Sequence, residues 1–369
     1  MDLSKAFDSV NFDILFFKLD KMGFTEGALK WFKSYLMNRK QYVQISKQDI
    51  KYISEIVTIL GGVQQGSVAG PLLFLMYIND LVKYLELLLI NSSFDSDYKI
   101  ILFADDILII LSNNCEKKLE TDAFIIMNLV QQWCIINELK INCSKTNFLF
   151  IPKNKNIVNN FNLVIDSEYI QRVNVLRYLG VLLDDKLSFA EHISSCTKKL
   201  NTAIFVLRYM VNFCPIEILL NIYHALFLTH INYCILVWSD CGSRQIEKIF
   251  LIQKKAIRTI YKLKKGETHR DTFINQQLLT VPSLIVFNHI VEFNDRRREM
   301  ESIDGVQRYC TRNNMATKVR KENERLRKGA HFFEKLPIVI RNAAGKKNVF
   351  KREVKNYLVQ KCLYKILDF

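Results

Sequence analysis

Hydrophobic and polar residues follow two different periods along the first half of the chain. Apolar residues recur at helical spacing and predict helices at 11–22, 25–38, 72–89 and 116–140. Alternating or short apolar runs predict strands at 41–47, at 53–60, on both sides of the Asp pair in KIILFADDILIIL, in NFLFI, and at 161–165 and 173–183. Strands and helices alternate here without the regular rhythm of a doubly wound sheet, which favours an α+β fold.

The second half has only helical periodicity. The clearest helical stretches are 189–212, 215–238, 243–262 and 283–295. Residues 296–330 are rich in Lys and Arg and poor in apolar residues, so they are predicted to form a linker. Some apolar periodicity returns from His331 onward. The sheet is therefore expected to end before about residue 188, and a helical, basic region to follow.

Charge divides the 369-residue chain in the same way. Residues 1–150 carry 15 Lys/Arg and 17 Asp/Glu, whereas residues 151–369 carry 37 and 20, and the whole chain has a net charge of +15. This asymmetry indicates a metal-binding chemical module beside a module that holds a polyanion. Solvated Lys and Arg on ordinary helices explain the charge equally well, and its sign alone does not separate nucleic acid from an anionic membrane.

The cysteines and the most apolar helix place the chain in a reducing environment away from the bilayer. Nine cysteines occur, none in a Cys-x-x-Cys pair or a zinc-ligand spacing, so we expect reduced thiols. The apolar stretch 217–238 is interrupted by polar residues, among them His224 and His230, and is too polar for a membrane span. Neither histidine has a carboxylate or Cys partner in helical register, so both are interpreted as structural. We therefore predict an intracellular protein that is not embedded in a membrane.

The Asp pair is the first candidate for chemistry. Asp105 and Asp106 lie between two apolar runs that predict a buried hairpin, so both carboxylates should project from one end of it. Adjacent carboxylates on a rigid scaffold repel each other unless a cation neutralises them, and hard oxygen ligands suit Mg²⁺. Asp is also a common turn residue, and on the dipeptide alone the two interpretations are about equal.

Two further elements favour the catalytic interpretation. Asp2 precedes a helical pattern, which would place it at the end of a strand, and two-metal phosphoryl transfer needs carboxylates from separate strands. The stretch GVQQGSVAGP is a glycine-rich turn before a helix, in which Gln65 offers a planar amide for hydrogen bonding. Each element alone is weak, but Asp2 and Asp105 together form a candidate metal-binding pair.

In this order, the motifs resemble the reverse transcriptases of non-long-terminal-repeat (LINE-type) retrotransposons. The residues that carry the resemblance are MDLSKAFDSV, GGVQQGSVAGPLLFLMYINDL, LFADDILI, LKINCSKTNFLFI and VLRYLGVLLDDKLSF, and the C-terminal LPIVIRN…FKREVKNYL stretch is similar too. The resemblance implies an α+β polymerase palm, an antiparallel sheet with helices on one face, followed by an all-helical thumb and C-terminal region. The corresponding boundaries are 1–187 for the palm, 188–295 for the thumb and connection, 296–330 for the linker and 331–369 for a small C-terminal segment.

The resemblance also implies a role for each matching residue. These roles are metal binding and catalysis for Asp2, Asp105 and Asp106, protonation or stabilisation of the departing pyrophosphate for Lys145, exclusion of a ribose 2′-hydroxyl for Phe7, nucleotide contact for Gln65 and Gly66, and primer grip for Tyr178 and Gly180. Pro71 fits the same motif as Gln65. Two Mg²⁺ ions, with Mn²⁺ as a substitute, would serve the reaction. The implied partners are an RNA template, a DNA primer and deoxynucleoside triphosphates, and the implied location is the cytoplasm and nucleus.

One departure from the family pattern affects the expected activity. Only Met1 precedes Asp2, whereas the family places a strand and the basic fingers upstream of this aspartate. The resemblance therefore implies an N-terminally truncated enzyme, inactive as this fragment, with Asp2 on a mobile chain end. Two alternatives stay open: a non-catalytic nucleic-acid-binding remnant of a decayed element, and a protein similar to group II intron maturases.

Overall fold

The computed structural model describes residues 1–47, 50–90, 93–152, 161–165, 167–264, 266–303 and 324–369. The chain divides into two compact units, Met1–Asn174 and Val175–Phe369. We refer to them as the N-terminal and C-terminal units and describe each by itself. The strand hairpin at 175–184, predicted as part of the palm ending at 187, groups with the C-terminal unit.

The N-terminal unit combines five helices with short strands in the residues described. The helices are α1 (Phe12–Lys21), α2 (Glu26–Leu36), α3 (Ala69–Ile78), α4 (Asp80–Leu89) and α5 (Glu116–Ile136). The strands are β1 (Leu3–Ser4), β2 (Lys40–Gln41), β3 (Gln44–Lys47), β4 (Ile50–Ile53), β5 (Val57–Thr58), β6 (Asp97–Phe103), β7 (Asp106–Ser112), β8 (Lys140–Ile141), β9 (Asn147–Phe148), β10 (Leu163–Ile165) and β11 (Glu168–Arg172). The unit is therefore mixed α and β, as predicted.

The strands form several small ladders within the described part of the unit. The ladders are β1–β8, β2–β5, β3–β4, β6–β7 and β10–β11–β9. All pairs are antiparallel except β11 with β9, which is parallel. A single antiparallel sheet was predicted, and residues 168–172 were assigned to a polar link instead of a strand. The pattern of β11 is mostly polar because only Ile170 on it is buried.

Helix ends in this unit follow from their capping residues. Asn11 accepts hydrogen bonds at its side chain from the backbone N–H groups of Asp13 and Ile14, which fixes the start of α1. Thr25 accepts one from Ala28 N and caps α2, as predicted. The predicted long helix 72–89 is two helices, α3 and α4, which meet at Asn79.

A buried lysine joins three of these elements and was not anticipated from the sequence. The ammonium of Lys18 on α1 donates to Tyr77 O at 2.6 Å and to Asp80 Oδ1 at 2.8 Å. It also lies 4.8 Å from the Tyr77 ring centroid and 4.9 Å from the Trp133 ring centroid on α5. Burial lowers the pKa of Lys18, while the hydrogen bond that it donates to Asp80 opposes that shift. The Asp80 carboxylate thus compensates the charge of this buried side chain.

The C-terminal unit is helical after one hairpin, in the residues described. The hairpin is β12 (Val175–Tyr178) and β13 (Val181–Asp184). The helices are α6 (Ala190–Met210), α7 (Ile216–Ile222), a π-helical segment (Tyr223–Leu228), α8 (Thr229–Asn232), α9 (Ile235–Trp238), α10 (Ser243–Tyr261), α11 (His269–Asn275), α12 (Val281–Ile303), α13 (Glu324–Glu334), α14 (Ile338–Asn342) and α15 (Lys347–Lys361). Their apolar faces form one core that includes Trp238, Phe273 and Val354.

The predicted linker 296–330 is helical at both of its described ends. Helix α12 continues to Ile303 and α13 begins at Glu324. The middle of that segment, residues 304–323, lies outside the described residues. Charge-rich sequence at its ends is compatible with helix because Arg325 on α13 pairs with Glu292 on α12, with 2.6 Å between Nη2 and Oε1.

In the parts of the chain that the structure covers, no helix is both long enough and apolar enough to cross a bilayer. The eight cysteines it covers are all free thiols. His224 and His230 lie in the π-helical segment and α8, and burial lowers the pKa of each.

Candidate active site

The Asp pair lies at the tip of the β6–β7 hairpin. The two strands are in antiparallel register from Asp97↔Ser112 to Phe103↔Asp106. Ala104 and Asp105 alone connect them, and Ala104 has a left-handed backbone with φ of 50°. Such a conformation costs a non-glycine residue roughly 1–2 kcal/mol, which the paired strands offset. The turn thereby presents Asp105 and Asp106, both half-buried, at one end of the hairpin.

Backbone hydrogen bonds hold Asp2 beside this hairpin. Met1 N donates to Ile107 O at 2.7 Å, and Ile107 N donates to Met1 O at 3.1 Å. Asn142 N donates to Asp2 O at 2.9 Å, and Asp2 N donates to Thr146 Oγ1 at 3.3 Å. The expectation of a mobile Asp2 is therefore wrong for this structure, because bonds on both sides fix its backbone.

The carboxylates of Asp2, Asp105 and Asp106 influence one another. The pKa of Asp106 is raised, first because burial disfavours the charged form, then because the Asp105 and Asp2 carboxylates repel it. The Met1 ammonium acts in the opposite direction. The structure thus brings the three predicted acidic residues together, and a cation among them would relieve the repulsion.

Lys145 lies next to the same cluster. Its ammonium is 3.9 Å from Asp2 Oδ2, and its side chain is 71% exposed. It occupies the turn between β8 and β9, where its backbone N–H donates to Asn142 O at 3.2 Å. An ion pair this exposed contributes little to stability. The ammonium can therefore exchange Asp2 for an anionic ligand at small cost.

The carboxylates of Asp2, Asp105 and Asp106 are ligands of the type that Mg²⁺ prefers, and the residues described form no complete metal site around them. Among the residues described, no three His, Cys, Asp or Glu side chains are grouped so that they could hold a metal ion by themselves. Mg²⁺ usually takes only one or two protein carboxylates and fills its remaining positions with water and substrate phosphates. The repulsion at Asp106 is the structural observation that favours a cation here, and Asp2 and Asp105 are the carboxylates that could bind it.

Phe7 packs against the core of the N-terminal unit. It follows β1, and its ring centroid is 4.7 Å from that of Phe74 on α3, with the planes tilted by 31°. The residue is half-buried. One side of the ring thus packs in the core, so the core role and the sugar-contact role that the sequence offered are compatible.

The glycine-rich turn is bonded to the segment that contains Phe7. Val63 N donates to Phe7 O and Gly62 N donates to Val10 O, both at 2.8 Å. Gln65 and Gly66 follow directly and are exposed. Gly66 has φ of 82°, a conformation that side chains rarely adopt, with open space around it. The turn therefore presents the Gln65 amide to solvent on a chain segment anchored beside Phe7.

Tyr178 and Gly180 belong to the C-terminal unit. Tyr178 is the last residue of β12, and Gly180 lies in the two-residue turn of the β12–β13 hairpin, in which Leu179 and Gly180 both have positive φ, as hairpin turns of this length favour. The Tyr233 hydroxyl donates to Leu179 O. A Cβ at Gly180 would lie 3.3 Å from the Tyr233 ring, so the ring covers the turn closely.

Sequence reasoning missed the residues that position the site. Asn142 and Thr146 support Asp2, and Tyr233 supports the hairpin turn of the C-terminal unit. Asn142 and Thr146 flank Lys145 in the INCSKT motif, which was a usable signal. The sequence contains no such signal for Tyr233, because this residue lies in an apolar helical pattern, 54 positions from its partner Leu179.

Comparison with known proteins agrees with this geometry. Residues 1–183 match the family model for reverse transcriptase (RNA-dependent DNA polymerase). The chain is 27% identical over 315 residues to the probable RNA-directed DNA polymerase from transposon BS of Drosophila melanogaster, covering 82% of this chain and 33% of that protein. It is 24% identical over 264 residues to the polymerase from mobile element jockey of the same species, covering 70% and 28%. For the probable polymerase from transposon X-element of that species, identity is 25% over 278 residues, covering 73% and 29%.

The chain belongs to the reverse transcriptase family, as its motifs predicted. Within that family it groups with the polymerases of LINE-type, non-long-terminal-repeat retrotransposons. It spans about a third of the length of these curated relatives, or slightly less.

Proposed function

We propose that this chain provides the catalytic centre of an RNA-directed DNA polymerase and acts by two-metal nucleotidyl transfer. The observation that carries the proposal is the convergence of Asp2 with Asp105 and Asp106, from strands separated by a hundred positions. Carboxylates from separate strands are what a two-metal site requires. In this proposal the N-terminal unit contains the palm, and the helices after 188 act as the thumb.

Each residue of the candidate site has its own role in the proposed reaction. Asp2 and Asp105 would hold Mg²⁺, which when bound supplies charge neutralisation for the primer hydroxyl, the triphosphate and the leaving pyrophosphate. The primer 3′-oxygen forms a bond to the α-phosphorus, the bond from that phosphorus to the pyrophosphate oxygen breaks, and the hydroxyl proton is released. Lys145, exposed beside Asp2, is placed to donate a hydrogen bond or a proton to the pyrophosphate.

The neighbouring segments would select and orient the nucleotide. The Phe7 ring, packed against Phe74 on one side, would contact the deoxyribose with the other and leave no space for a 2′-hydroxyl. The exposed Gln65 amide would donate to or accept from the nucleotide. Tyr178 and Gly180 would contact the primer strand through their hairpin. The RNA template, DNA primer and deoxynucleotides are accordingly the proposed partners.

Metal-directed cleavage tests the centre without relying on polymerase activity. Fe²⁺ with ascorbate and peroxide cuts protein backbone close to the bound ion. We expect cuts near residues 2, 105 and 145, suppressed by excess Mg²⁺ and lost in Asp105→Asn. The matched control is Asp97→Asn, an exposed aspartate at the opposite end of the same hairpin, which should retain the cuts. No cutting at these positions would exclude the metal centre.

Primer extension on an RNA template then tests the activity. The chain should be assayed alone and joined to the upstream segment of the jockey polymerase, with Mg²⁺ and four deoxynucleotides. We expect the joined protein to extend the primer in the presence of Mg²⁺. Asp105→Asn should reduce this extension by at least about a hundredfold, and Asp97→Asn should leave it intact. RNA binding without metal-directed cuts or extension in either form would favour the non-catalytic alternative.

A further inference from the structure

Helix α6 and the turn that follows it expose three aromatic side chains. Phe205, Tyr209 and Phe213 follow each other at intervals of four residues and are 71%, 66% and 72% exposed. Tyr209 and Phe213 touch, with ring centroids 5.6 Å apart. We call these three residues the aromatic face. Contiguous exposed apolar surface of this kind marks a binding site more often than chance does.

The aromatic face takes no part in the core of its unit. The opposite side of α6 supplies the buried residues, among them Ile193, Leu200 and Leu207, which are fully covered. The apolar stripe 226–238 differs, because Phe227, Ile231 and Trp238 on it are buried. Core packing therefore accounts for the apolar residues of that stripe, but it does not account for the aromatic face, whose three rings remain exposed.

The charges around the aromatic face indicate an anionic ligand. Lys198, Lys199 and Arg208 are exposed on the same helix. No Asp or Glu occurs in the sequence between Glu191 and Glu217. A polyanion with planar apolar groups complements both features, and nucleic acid has this chemistry. An unpaired strand suits it better than a duplex, because the base faces of a duplex are already stacked and hidden.

The spacing of the rings is compatible with an extended strand. Phe205 and Tyr209, four residues apart on α6, are separated by roughly 6 Å along its axis, and the Tyr209 and Phe213 ring centroids are 5.6 Å apart. Bases stacked in a duplex are only about 3.4 Å apart. Successive rings can therefore each accept one base of an unstacked strand, whereas a stacked strand would not match them.

We propose that α6 and the turn after it bind single-stranded RNA, stacking unpaired bases on Phe205, Tyr209 and Phe213 while Lys198, Lys199 and Arg208 contact the phosphates. The inference deepens the proposed function and rests on it for the choice of RNA. It assigns the helix a role in holding the unpaired template, separate from any contact with the primer–template duplex.

Binding of the full chain to fluorescent RNA tests this surface. The probes are a 12-nucleotide uridine-rich RNA and the same RNA paired with DNA, both measured in EDTA without nucleotides. Phe205→Leu with Tyr209→Leu should weaken single-strand binding by roughly tenfold, change duplex binding less than about twofold, and leave the salt dependence unaltered. The matched control is Trp31→Leu, an exposed aromatic residue of the N-terminal unit, which should change neither.

A second readout identifies the contact directly. 5-Iodouridine in the same RNA should photocrosslink to Phe205, Tyr209 or Phe213. Equal loss of single-strand and duplex binding, unchanged affinity in the double variant, or crosslinks confined to other elements would each overturn the proposal. Unchanged RNA affinity would point to a protein partner for this face. Because the assay contains EDTA, failure of the metal centre would not alter its outcome, so the two proposals fail separately.

Discussion

At the scale of single residues, Phe7 combines a core contact with a partly exposed ring. Because its ring already rests on Phe74, a smaller side chain should open space toward the nucleotide while leaving Phe74 in place. We expect Phe7→Val to raise ribonucleotide incorporation relative to deoxyribonucleotide incorporation by at least about tenfold in primer extension. Phe74→Leu is the control, since it alters the same packing from the buried side and should chiefly lower stability. Unchanged sugar selectivity in Phe7→Val would leave Phe7 with the core role alone.

Tyr233 gives a second prediction at this scale. Its hydroxyl donates to Leu179 O, so Tyr233→Phe removes one hydrogen bond while the ring still covers Gly180. A bond of this kind is worth about 1 kcal/mol. We expect faster amide hydrogen exchange at residues 178–182 and, in a polymerase assay, a raised KM for primer with little change in kcat. Tyr169→Phe, at an exposed tyrosine of the N-terminal unit, should alter neither; unchanged exchange in Tyr233→Phe would mean that the hydroxyl does not hold the turn.

The proximity of the three acidic residues was predictable, whereas the residues that support Asp2 mostly were not. Residue type and order were enough to select Asp2 and Asp105 as candidates, whereas Lys145 was indicated only by the resemblance. The support of Asp2 by Thr146 is a hydrogen bond across 144 positions. Nothing in local periodicity records such a pairing. The firm anchoring of Asp2, the opposite of the expected mobility, arises from these long-range bonds.

At the scale of elements, sequence periodicity located the helices but not their interruptions. The predicted helix 215–238 contains a π-helical segment and ends at Tyr233, after which Cys234 has φ of 50°. The break is stabilised by tertiary contacts, because Trp238 Nε1 donates to Tyr233 O at 3.0 Å and the Tyr233 hydroxyl binds the hairpin. Apolar spacing continues through the break, so the sequence shows no sign of it.

Packing of α12 against α13 makes stability depend on pH. His289 on α12 lies 5.9 Å, centroid to centroid, from Phe332 on α13, and burial lowers its pKa to about 4. The unfolded chain binds the proton first as pH falls, because its histidine has the higher, ordinary pKa near 6.5. Stability from this group is therefore complete above about pH 6.5 and is lost as pH falls toward 4.

The free energy of unfolding should fall by about 2 kcal/mol between pH 7.5 and pH 5 because of this histidine. Denaturant titrations at the two pH values measure it. His289→Gln should lower stability at pH 7.5 yet lose less of it on acidification than the native chain does. The control His331→Gln, at an exposed histidine of α13, should retain the native pH dependence. Identical pH slopes for His289→Gln and the native chain would contradict a buried neutral His289.

At the scale of the whole molecule, charge and architecture divide at the same place. Residues 1–174 carry 18 Lys/Arg and 19 Asp/Glu, whereas residues 175–369 carry 34 and 18. The candidate acidic cluster belongs to the first unit and the excess of basic residues to the second. The mixed α and β composition and the charge asymmetry were predictable because they depend on sums over many residues. Not every basic side chain of the second unit faces only solvent, since the Lys254 ammonium packs over the Phe250 ring at 4.7 Å.

Several exposed basic residues form a row along helix α10. Arg244, Lys248, Lys255 and Arg258 are exposed at spacings of four, seven and three residues, and Lys262 caps the helix. Such spacings place them along one side of the helix. Phosphate contacts from a row of this kind release counterions, so the affinity for nucleic acid should fall steeply as salt rises.

Neutralising part of that row should therefore change the salt dependence more than it changes specificity. In the full chain, Lys248→Gln, Lys255→Gln and Lys262→Gln together should lower the slope of log affinity against log salt by about 2, at roughly 0.7 for each phosphate contact on single-stranded RNA. Lys21→Gln, Lys83→Gln and Lys117→Gln remove the same charge from exposed positions of the N-terminal unit and should leave the slope nearly unchanged. Because both triple variants lower the net charge equally, a general electrostatic attraction would reduce both slopes alike. Equal reductions would thus contradict a localised site, whereas a selective effect would assign the polyanion contact to the C-terminal unit.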